Sequence, residues 1–287
     1  MPELPQVEAL RAWLADRLVG RAVSGVQLVD FAALKTYQPP LDALLGLEIT
    51  DVARHGKFID VDAQGVHLVF HFARAGWLTW KDAQPTTPAR PGRGPLSLRV
   101  TLDDGSGFDL TEAGTQRKLA IYVVTAPEQV PGIAALGPDP LSEGFDRASL
   151  DAIVAAAGRA QLKGVLRDQR VIAGIGNAYS DEILHAARMS PFTPAASLDE
   201  AGRQLLFDSI KRVLADALGR SSGLPPNKLK DDKRTALRVH GRTGETCDVC
   251  GTTIAEVSFA DSSLQYCPGC QTGGKLLADR RMSKLLR

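Results

Sequence analysis

The sequence predicts an α+β multidomain protein in which a β-rich region, a helical region and a small cysteine module follow one another. Three observations support this prediction. The spacing of apolar residues changes from about two to about 3.6 between the halves of the chain. A proline- and glycine-rich stretch, "VPGIAALGPDPL" at residues 130–141, lies between them. All four cysteines lie beyond residue 246, and the chain of 287 residues is long enough for two cores.

The composition argues against membrane and secreted proteins, because the sequence shows no membrane-spanning apolar run and no signal peptide. We therefore expect a cytoplasmic protein without a membrane partner. The formal net charge of +1 gives no sign of a polyanion partner. Two local clusters of basic residues nevertheless lie near a cysteine module. Together they favour a polyanion partner over the alternative that each is a solvated helix face. They comprise Lys228, Lys230, Lys233, Arg234, Arg238 and Arg242, and then Lys275, Arg280, Arg281, Lys284 and Arg287.

The chain opens with "MPELPQVEAL", in which a proline directly follows the initiator methionine. Because that methionine is normally removed before a small residue, the mature chain is expected to begin with the secondary amine of Pro2. Pro5 suits the first position of a helix, and Gly20 suits its end. Taken alone, these residues indicate only a stiff lead-in to a helix. Its apolar stripe is Val7, Leu10, Leu14 and Leu18.

Residues 22–125 have the pattern of strands. Seven short β-branched runs are divided by turns such as "DDGSG", without a helical pattern between them. This predicts a β-sandwich or barrel, with "PTTPARPGRGP" (85–95) as a loop. The runs are "VSGVQLV", "LEITDVA", "KFIDVDA", "VHLVFHF", "LSLRVTL", "GFDLT" and "KLAIYVV".

Beyond residue 141 the periodicity is helical. A turn with Gly174 and Gly176 precedes a helix that is predicted to begin near Asn177, with the asparagine as N-cap. Backbone N–H groups in such a turn can bind a phosphate, although a simple helix corner is favoured when this stretch is taken alone. The third glycine of a dinucleotide fingerprint is absent, so we expect no nucleotide cofactor. The predicted helices are "RASLDAIVAAA", "QLKGVLRD", "AYSDEILHAARM" and "AGRQLLFDSIKRVLADAL".

The cysteines form two C-x-x-C pairs separated by sixteen residues, a spacing typical of a structural zinc site. Four thiolates leave no open coordination position, so one structural Zn²⁺ is predicted rather than a hydrolytic one. Two disulfides are the alternative, which a reducing cytoplasm disfavours. The segment between the pairs predicts a hairpin, "TIAEVSF" and "LQYC" around the turn "ADSS". The ligands are Cys247, Cys250, Cys267 and Cys270.

Several of these stretches, in one order, resemble the formamidopyrimidine-DNA glycosylase/endonuclease VIII family of bifunctional base-excision repair enzymes. They are "MPELPQVE", "RHGKF", "LGPDPL", "KGVLRDQRVIAGIGNAYSDEIL" and "HGRTGETCDVCG…YCPGCQ". The resemblance implies an N-terminal β-sandwich flanked by helices, then a helix–two-turns–helix domain with a C-terminal zinc hairpin, and damaged double-stranded DNA bound in the cleft by a monomer. The implied boundaries are 1–129 for the catalytic domain, 130–146 for a linker, 147–240 for the DNA-binding domain, 241–271 for the zinc finger and 272–287 for a basic tail.

The resemblance also implies a mechanism. Pro2 matches the nucleophile that attacks C1′ of the damaged nucleoside, expels the base and leaves a Schiff base, from which β,δ-elimination cuts the strand. An α-amino group has an ordinary pKa near 8, so part of it is unprotonated at neutral pH. Glu3 matches a proton-shuttling carboxylate. Lys57 matches the lysine that binds a phosphate beside the lesion.

Further positions match DNA contacts of the family. Chemistry at C1′ requires the nucleotide to leave the stack, and other side chains fill the gap. Arg74 and Leu119 stand where the family has methionine and phenylalanine wedges, and Arg117 matches the arginine that faces the orphaned base. Asn177 matches a phosphate-binding asparagine. Lys163 and Lys275 are also assigned to DNA binding.

Some positions depart from the family pattern. Gln6 replaces a glutamate, and Ser262 replaces the hairpin arginine that clamps phosphates, a contact typically worth about 1.5–3 kcal/mol. We hypothesise that the basic tail, especially Lys275, Arg280 and Arg281, substitutes for this arginine. The loop "SSGLPPNKLKDDKRTALRVHG" is shorter than the one that some members fold over 8-oxoguanine. Oxidised pyrimidines, ring-opened purines and abasic sites are therefore all open as substrates, and a catalytically weakened or non-catalytic DNA-binding relative is the alternative function.

Overall fold

The computed structural model describes residues 2–90, 94–114, 116–259 and 262–278. The chain divides into two compact units. Unit 1 comprises Met1–Leu136 and Ser221–Asp231, and unit 2 comprises Gly137–Arg220 and Asp232–Arg287. The five segments predicted from the sequence stay a prediction. The structure adds that residues 221–231 pack with the N-terminal unit.

Unit 1 begins with the predicted amphipathic helix, α1 (Leu4–Leu18). Its apolar stripe, Val7, Leu10, Leu14 and Leu18, is fully buried. Pro5 lies in the first turn, where its missing N–H costs no helical hydrogen bond. Gly20 follows the helix in the left-handed region at φ +81°, which a residue with a side chain rarely adopts.

Two antiparallel sheets of four strands form the body of unit 1, in the orders β1-β6-β7-β5 and β2-β3-β4-β8. Aromatic side chains connect the two sheets, since the ring centroids of Phe70 and Phe108 lie 6.1 Å apart. This arrangement confirms the predicted sandwich. Its strands are β1 (Val23–Leu28), β2 (Ile49–His55), β3 (Phe58–Ala63), β4 (Val66–His71), β5 (Gly76–Lys81), β6 (Leu96–Leu102), β7 (Gly107–Glu112) and β8 (Ala120–Val124).

The strand β5 is missing from the seven predicted runs. Its sequence "GWLTWK" begins with glycine and carries no β-branched residue except Thr79. Tertiary packing rather than propensity determines this strand. Gly76 must approach the preceding turn closely, because a Cβ atom there would overlap the carbonyl oxygen of Phe72.

Unit 2 is mainly helical, and each helix predicted from its apolar pattern is present. The helix α7 was instead predicted as a loop; its sequence has little apolar content, and only Pro226 and Leu229 are buried. The helices beyond α1 are α2 (Pro131–Ala134), α3 (Arg147–Ala157), α4 (Leu162–Arg167), α5 (Asn177–Ala186), α6 (Glu200–Ser221), α7 (Pro226–Ala236) and α8 (Pro268–Gln271).

The cysteine module forms the predicted hairpin, with β9 (Ala255–Ser258) antiparallel to β10 (Ser263–Tyr266). Val257, Leu264 and Tyr266 form a small buried cluster on it, against which Leu277 packs. None of the helices in the described part of the chain combines the length and the apolar character that a membrane crossing requires.

Candidate functional site

The first turn of α1 fixes the position of Glu3, which directly follows Pro2. The sequence predicts a catalytic role for both of these residues. Glu3 is the N-cap of the helix and Gln6 is its third residue, and the two form a capping box. The Glu3 carboxylate accepts from the Gln6 backbone N–H, and the Glu3 N–H donates to Gln6 Oε1 over 3.4 Å. Both residues are buried, with 2% and 1% exposure. An amide serves this motif as well as a carboxylate does, so Gln6 keeps the geometry that the sequence departure put in doubt.

Arg54 connects α1 to the turn that carries Lys57. Its Nε donates to Glu8 Oε2 over 2.7 Å, and Nη1 donates to the carbonyl oxygen of Gly56 over 3.0 Å. Gly56 adopts φ +57°, which reverses the chain between β2 and β3. The predicted phosphate-binding lysine therefore lies on a turn that the Arg54 guanidinium connects to α1.

Lys57 is buried to 6% exposure and acts electrostatically on His71, a residue that the sequence analysis missed. His71 ends β4 opposite Phe58, and the two rings lie 4.7 Å apart. Burial, followed by the charge of Lys57, lowers the pKa of His71 to about 4, so the imidazole is neutral at pH 7. The Ala73 N–H donates to Nδ1 over 3.2 Å, which leaves the ring proton on Nε2. Only the register of the β3–β4 hairpin, which pairs His71 with Phe58, could have shown that His71 lies near Lys57.

Two predicted gap-filling arginines lie on exposed turns of unit 1. Arg74 follows Ala73, whose backbone is in the left-handed region at φ +50°. Arg117 donates to Asp30 Oδ2 over 3.3 Å and to the carbonyl oxygen of Gly94 over 3.1 Å. Both side chains can reach a ligand in solvent, but Arg117 must exchange these partners to do so.

The third predicted gap-filling residue, Leu119, lies in the protein interior with 2% exposure. Its backbone N–H and that of Lys118 donate to the buried Glu112 carboxylate over 2.9 Å. A Cβ atom at Gly76 would come within 2.7 Å of Leu119 Cδ1, which shows how closely the side chain packs. Leu119 therefore packs inside unit 1, and its contact with DNA stays a prediction.

Lys163, predicted to bind DNA, is also buried, with 5% exposure. Its ammonium forms an ion pair with Asp181 and donates to the carbonyl oxygen of Asn177 over 2.8 Å. The other oxygen of Asp181 contacts His240 Nδ1 at 2.7 Å and accepts from the Gln265 N–H. Lys163 therefore holds together the start of α5 and the zinc hairpin.

Asn177 is the first residue of α5, as predicted, but the N-cap is Gly176, so the assignment of asparagine as the cap is wrong. The side chain is available for another role: Nδ2 donates to the carbonyl oxygen of Ser263 over 2.7 Å. Its Oδ1 is buried without a hydrogen-bond partner in the described structure. Asn177 thereby couples the helix start to β10, directly beside Ser262.

Glu182 attaches the segment before the zinc module to α5. Its carboxylate accepts backbone N–H groups of Arg238, Val239 and His240 over 2.8–3.0 Å. Burial raises the pKa of this carboxyl, while the three hydrogen bonds act in the opposite direction. Because these donors orient the chain just before Cys247, the first knuckle has a fixed starting point.

The four cysteines fit a zinc ion. All are free thiols, so the structure does not support the disulfide alternative. Sulfur atoms are 3.9 Å apart for Cys247 and Cys270, and 3.3 Å apart for Cys250 and Cys267. A tetrahedron with Zn–S bonds of about 2.3 Å has edges of about 3.8 Å. Gly269 is required in this cradle, since a Cβ atom there would lie 2.9 Å from Cys250 Sγ.

A histidine joins this cluster. One ligand atom each of His185, Cys247, Cys267 and Cys270 all lie within 4.8 Å of one another. Burial, and then Arg238, lowers the pKa of His185, which keeps the imidazole neutral. The spacing of the cysteines gave no indication of it.

Of the basic tail, the structure describes only the residues up to 278. Lys275 is exposed and follows Gly273 and Gly274, both of which have positive φ. Arg280 and Arg281, predicted to assist it, lie outside the described residues. Ser262 is partly exposed at the end of the hairpin turn, where its carbonyl oxygen accepts from the Phe259 N–H over 2.7 Å.

Three family models match the chain in order. The formamidopyrimidine-DNA glycosylase N-terminal domain matches residues 1–118, and the formamidopyrimidine-DNA glycosylase H2TH domain matches residues 136–224. A zinc finger found in FPG and IleRS matches residues 244–273. Together they span most of both units; Leu119, residues 238–240, Lys275 and α7 lie outside the three matched ranges.

Individual relatives agree with these models. An uncharacterized formamidopyrimidine-DNA glycosylase-like protein of Mycobacterium tuberculosis is 56% identical over 153 residues, which are 53% of this chain and 95% of the relative. The formamidopyrimidine-DNA glycosylase of Symbiobacterium thermophilum is 34% identical, covering 98% of this chain and 93% of the relative. A structure of MutM in complex with DNA that contains carbocyclic 8-oxo-G has a TM-score of 0.81 at 25% identity, covering 94% of this chain and 100% of that one. The chain therefore belongs to the formamidopyrimidine-DNA glycosylase family, enzymes of base-excision repair that remove oxidised bases and typically also cleave abasic sites.

Proposed function

We propose that Pro2, once Met1 has been removed, is the nucleophile of this glycosylase and lyase. Its nitrogen lone pair forms a bond to C1′ while the bond from C1′ to the base breaks, and the base leaves with a proton. Opening of the sugar gives an iminium ion, which withdraws electrons as the 2′ proton is removed and the 3′ phosphate leaves. A second elimination releases the 5′ phosphate, and water then hydrolyses the iminium. The observation that carries this proposal is the capping box, which fixes Glu3 immediately after Pro2.

Glu3 moves protons between the amine, the sugar and water in this proposal. Its carboxylate is buried and oriented by the backbone N–H of Gln6, so it does not have to reorganise during the reaction. Gln6 is a positioning residue: it accepts the Glu3 N–H and adds no second negative charge beside the carboxylate. This contact supports an active enzyme over the non-catalytic alternative, which rested partly on Gln6.

Lys57 and His71 bind a phosphate beside the lesion. The lysine supplies charge, and the neutral imidazole supplies a single N–H donor at Nε2. Asn177 supplies a further polar contact from unit 2, supported by its fixed side chain at the helix start. Such contacts fix the position of the DNA without reading its sequence.

Arg74 enters the gap that the extruded nucleotide leaves, and Arg117 exchanges Asp30 for the orphaned base. Leu119 supports the turns of unit 1 from inside, and Lys163 supports the start of α5. The substrate is duplex DNA with an oxidised pyrimidine, a ring-opened purine or an abasic site, without strict preference for 8-oxoguanine. The zinc ion holds the hairpin and takes no part in the reaction. Such an enzyme works on chromosomal DNA, and we place it with the nucleoid in the cytoplasm.

Borohydride trapping tests the proposal. The chain with a free Pro2 should give a covalent adduct with a duplex that carries an abasic site, because reduction fixes the iminium. A matched chain with two extra N-terminal residues, Gly and Ser, should bind the same duplex but give at least about a hundredfold less adduct. Equal adduct from both chains would place the nucleophile elsewhere. No adduct from either chain on a panel of lesions would favour the non-catalytic alternative.

A further inference from the structure

His185 lies at the metal centre without belonging to the C-x-x-C pairs. It is in the last turn of α5, buried to 5% exposure, with Nε2 at 3.4 Å from Cys247 Sγ. In a tetrahedron with a Zn–N bond of about 2.0 Å and a Zn–S bond of about 2.3 Å, nitrogen and sulfur lie about 3.5 Å apart. The observed separation suits a ligand as well as it suits an N–H donor to a thiolate.

Two sets of four donors therefore overlap at one metal position. The first is the set of four cysteines. The second replaces Cys250 by His185, and its ligand atoms lie within 4.8 Å of one another. Cys250 is the exposed cysteine of the four, whereas Cys247 and Cys267 are buried and Cys270 is half-buried. The donor that the histidine would replace is thus the one that solvent reaches most easily.

We propose that His185 is a reserve ligand of the zinc ion, which takes the position of Cys250 when that thiolate is lost. With all four cysteines available, His185 donates its Nε2–H to Cys247 and orients that thiolate. When Cys250 is blocked, Nε2 gives up its proton while Nδ1 takes one from water, and the deprotonated Nε2 becomes the fourth ligand beside Cys247, Cys267 and Cys270. The bond from the metal to Cys250 is exchanged for one to His185, so the ion stays four-coordinate.

The surroundings of His185 favour this exchange. The helix α5 is held by the hydrogen bonds of Asp181 and Glu182, so the histidine is already in place and no backbone has to be ordered. A cavity of about 410 Å³, lined by His185, Arg188, Arg238 and Cys270 among others, adjoins the cluster. We expect water to reach the imidazole through this cavity.

Alkylation of the folded zinc protein tests the proposal independently of any enzymatic reaction. Iodoacetamide should modify Cys250 first, because it is exposed. Native mass spectrometry should then show that the chain with one carboxamidomethyl group at Cys250 still carries one zinc ion. In His185→Phe the unmodified chain should carry zinc, but the singly modified chain should have lost it. Equal retention or equal loss in the two proteins would overturn the proposal.

Cobalt binding supplies a second, equilibrium test. Cys250→Ser should bind Co²⁺ with the absorption of a tetrahedral site with three sulfurs and one nitrogen. The double variant Cys250→Ser/His185→Phe should bind at least about tenfold more weakly, without that spectrum. Cys247→Ser removes a ligand common to both sets and should lose tetrahedral binding outright. Identical spectra and affinities for Cys250→Ser and the double variant would exclude His185 as a ligand, and circular dichroism of α-helix content would confirm that both are folded.

Discussion

The neutral state of His71 follows from its position between an apolar sheet surface and the ammonium of Lys57. Burial disfavours a charged imidazole, and the neighbouring positive charge disfavours it further, which together bring its pKa to about 4. A second cation at this position would repel Lys57. A neutral N–H donor, by contrast, can share a phosphate with the lysine at no electrostatic cost.

This pKa predicts a specific dependence of stability on pH. Because the folded pKa of about 4 lies below the unfolded value of 6.5, the unfolded chain binds a proton more readily between them. The contribution of His71 to the unfolding free energy is complete above the unfolded pKa. It is lost as the pH falls towards the folded pKa. Between about pH 7.5 and about pH 4.5, wild type should lose roughly 2–3 kcal/mol more unfolding free energy than His71→Gln. Urea unfolding at both pH values measures this, and parallel losses would contradict it.

Gln6 gives a prediction about the capping box. Gln6→Leu leaves the buried Glu3 N–H without its acceptor, which should lower the unfolding free energy by about 1–3 kcal/mol and reduce the yield of borohydride adduct. Gln6→Glu keeps an acceptor at the same position and is the matched control. Its unfolding free energy near pH 8 should lie between those of Gln6→Leu and wild type, because the new carboxylate accepts the Glu3 N–H but adds a second negative charge beside Glu3. The capping role is refuted if the leucine variant is as stable as the glutamate variant.

Single residues differ in how far sequence could predict them. Pro2, Glu3 and Lys57 were identified because they lie in short contiguous motifs. His71 was not, since its significance depends on the cross-strand pair with Phe58 and not on its neighbours in sequence. The identity of Lys163 and Leu119 gives no information on burial, so only the structure shows that both side chains lie inside the protein.

At the scale of elements, α5 is the organising helix of unit 2. Asp181 and Glu182 are the fifth and sixth of its ten residues, beyond the first turn in which a carboxylate stabilises the helix dipole. Both carboxylates instead hold other segments: Asp181 binds Lys163, His240 and Gln265, and Glu182 binds the backbone of residues 238–240. The helix α5 thereby orients both the zinc hairpin and the segment that precedes the zinc module.

The turn before β5 leads to a prediction about how far this strand depends on Gly76. Gly76→Ala should lower the unfolding free energy by roughly 1–3 kcal/mol or more, because the new methyl group would overlap the Phe72 carbonyl oxygen and press on Leu119. Gly25→Ala in β1 is the control, since the nearest atom to a Cβ there is 3.5 Å away, an ordinary contact. Thermal or urea unfolding distinguishes the two. A Gly76→Ala protein as stable as Gly25→Ala would show that the turn adapts.

Elements with a clear apolar period were predictable, and the two without one were not. The helix α3 matches its predicted range because an aspartate N-cap and Gly158 delimit it. The strand β5 and the helix α7 depend on each other instead. Trp77 Nε1 donates to the Pro226 carbonyl oxygen over 3.0 Å, and Lys230 lies 4.8 Å from the centre of the Trp77 ring. Such contacts across 149 positions leave no local pattern in the sequence.

At the scale of the whole molecule, the basic tail is predicted to take over the role of the hairpin arginine, whose position Ser262 occupies in this chain. Deletion of residues 279–287 removes four basic residues and keeps Leu277, whose N–H donates to the Tyr266 hydroxyl. Affinity for a duplex with an abasic-site analogue should fall about ten- to a hundredfold, and the salt dependence should weaken by about 0.9 per lost phosphate contact. Fluorescence anisotropy at several salt concentrations measures both.

A full-length chain in which the basic residues of 279–287 are changed to glutamine is the control for this deletion. It should behave like the truncated chain, because the proposed contribution is electrostatic. Lys275→Ser separates the described lysine from the rest of the tail. Unchanged affinity and salt dependence in all three proteins would exclude the tail as a substitute for the hairpin arginine.

The hydrogen bond from Asn177 to the Ser263 carbonyl oxygen has a consequence for how the enzyme fails. That strand belongs to the module which the cysteines close around their ion, so we expect that an oxidant which removes more thiolates than His185 can replace would release the asparagine without touching it. The phosphate contact proposed for Asn177 would then weaken while Pro2 remained chemically intact. An enzyme that repairs oxidised bases is thereby itself vulnerable to the agent that damages them, at a position far along the sequence from its reactive end.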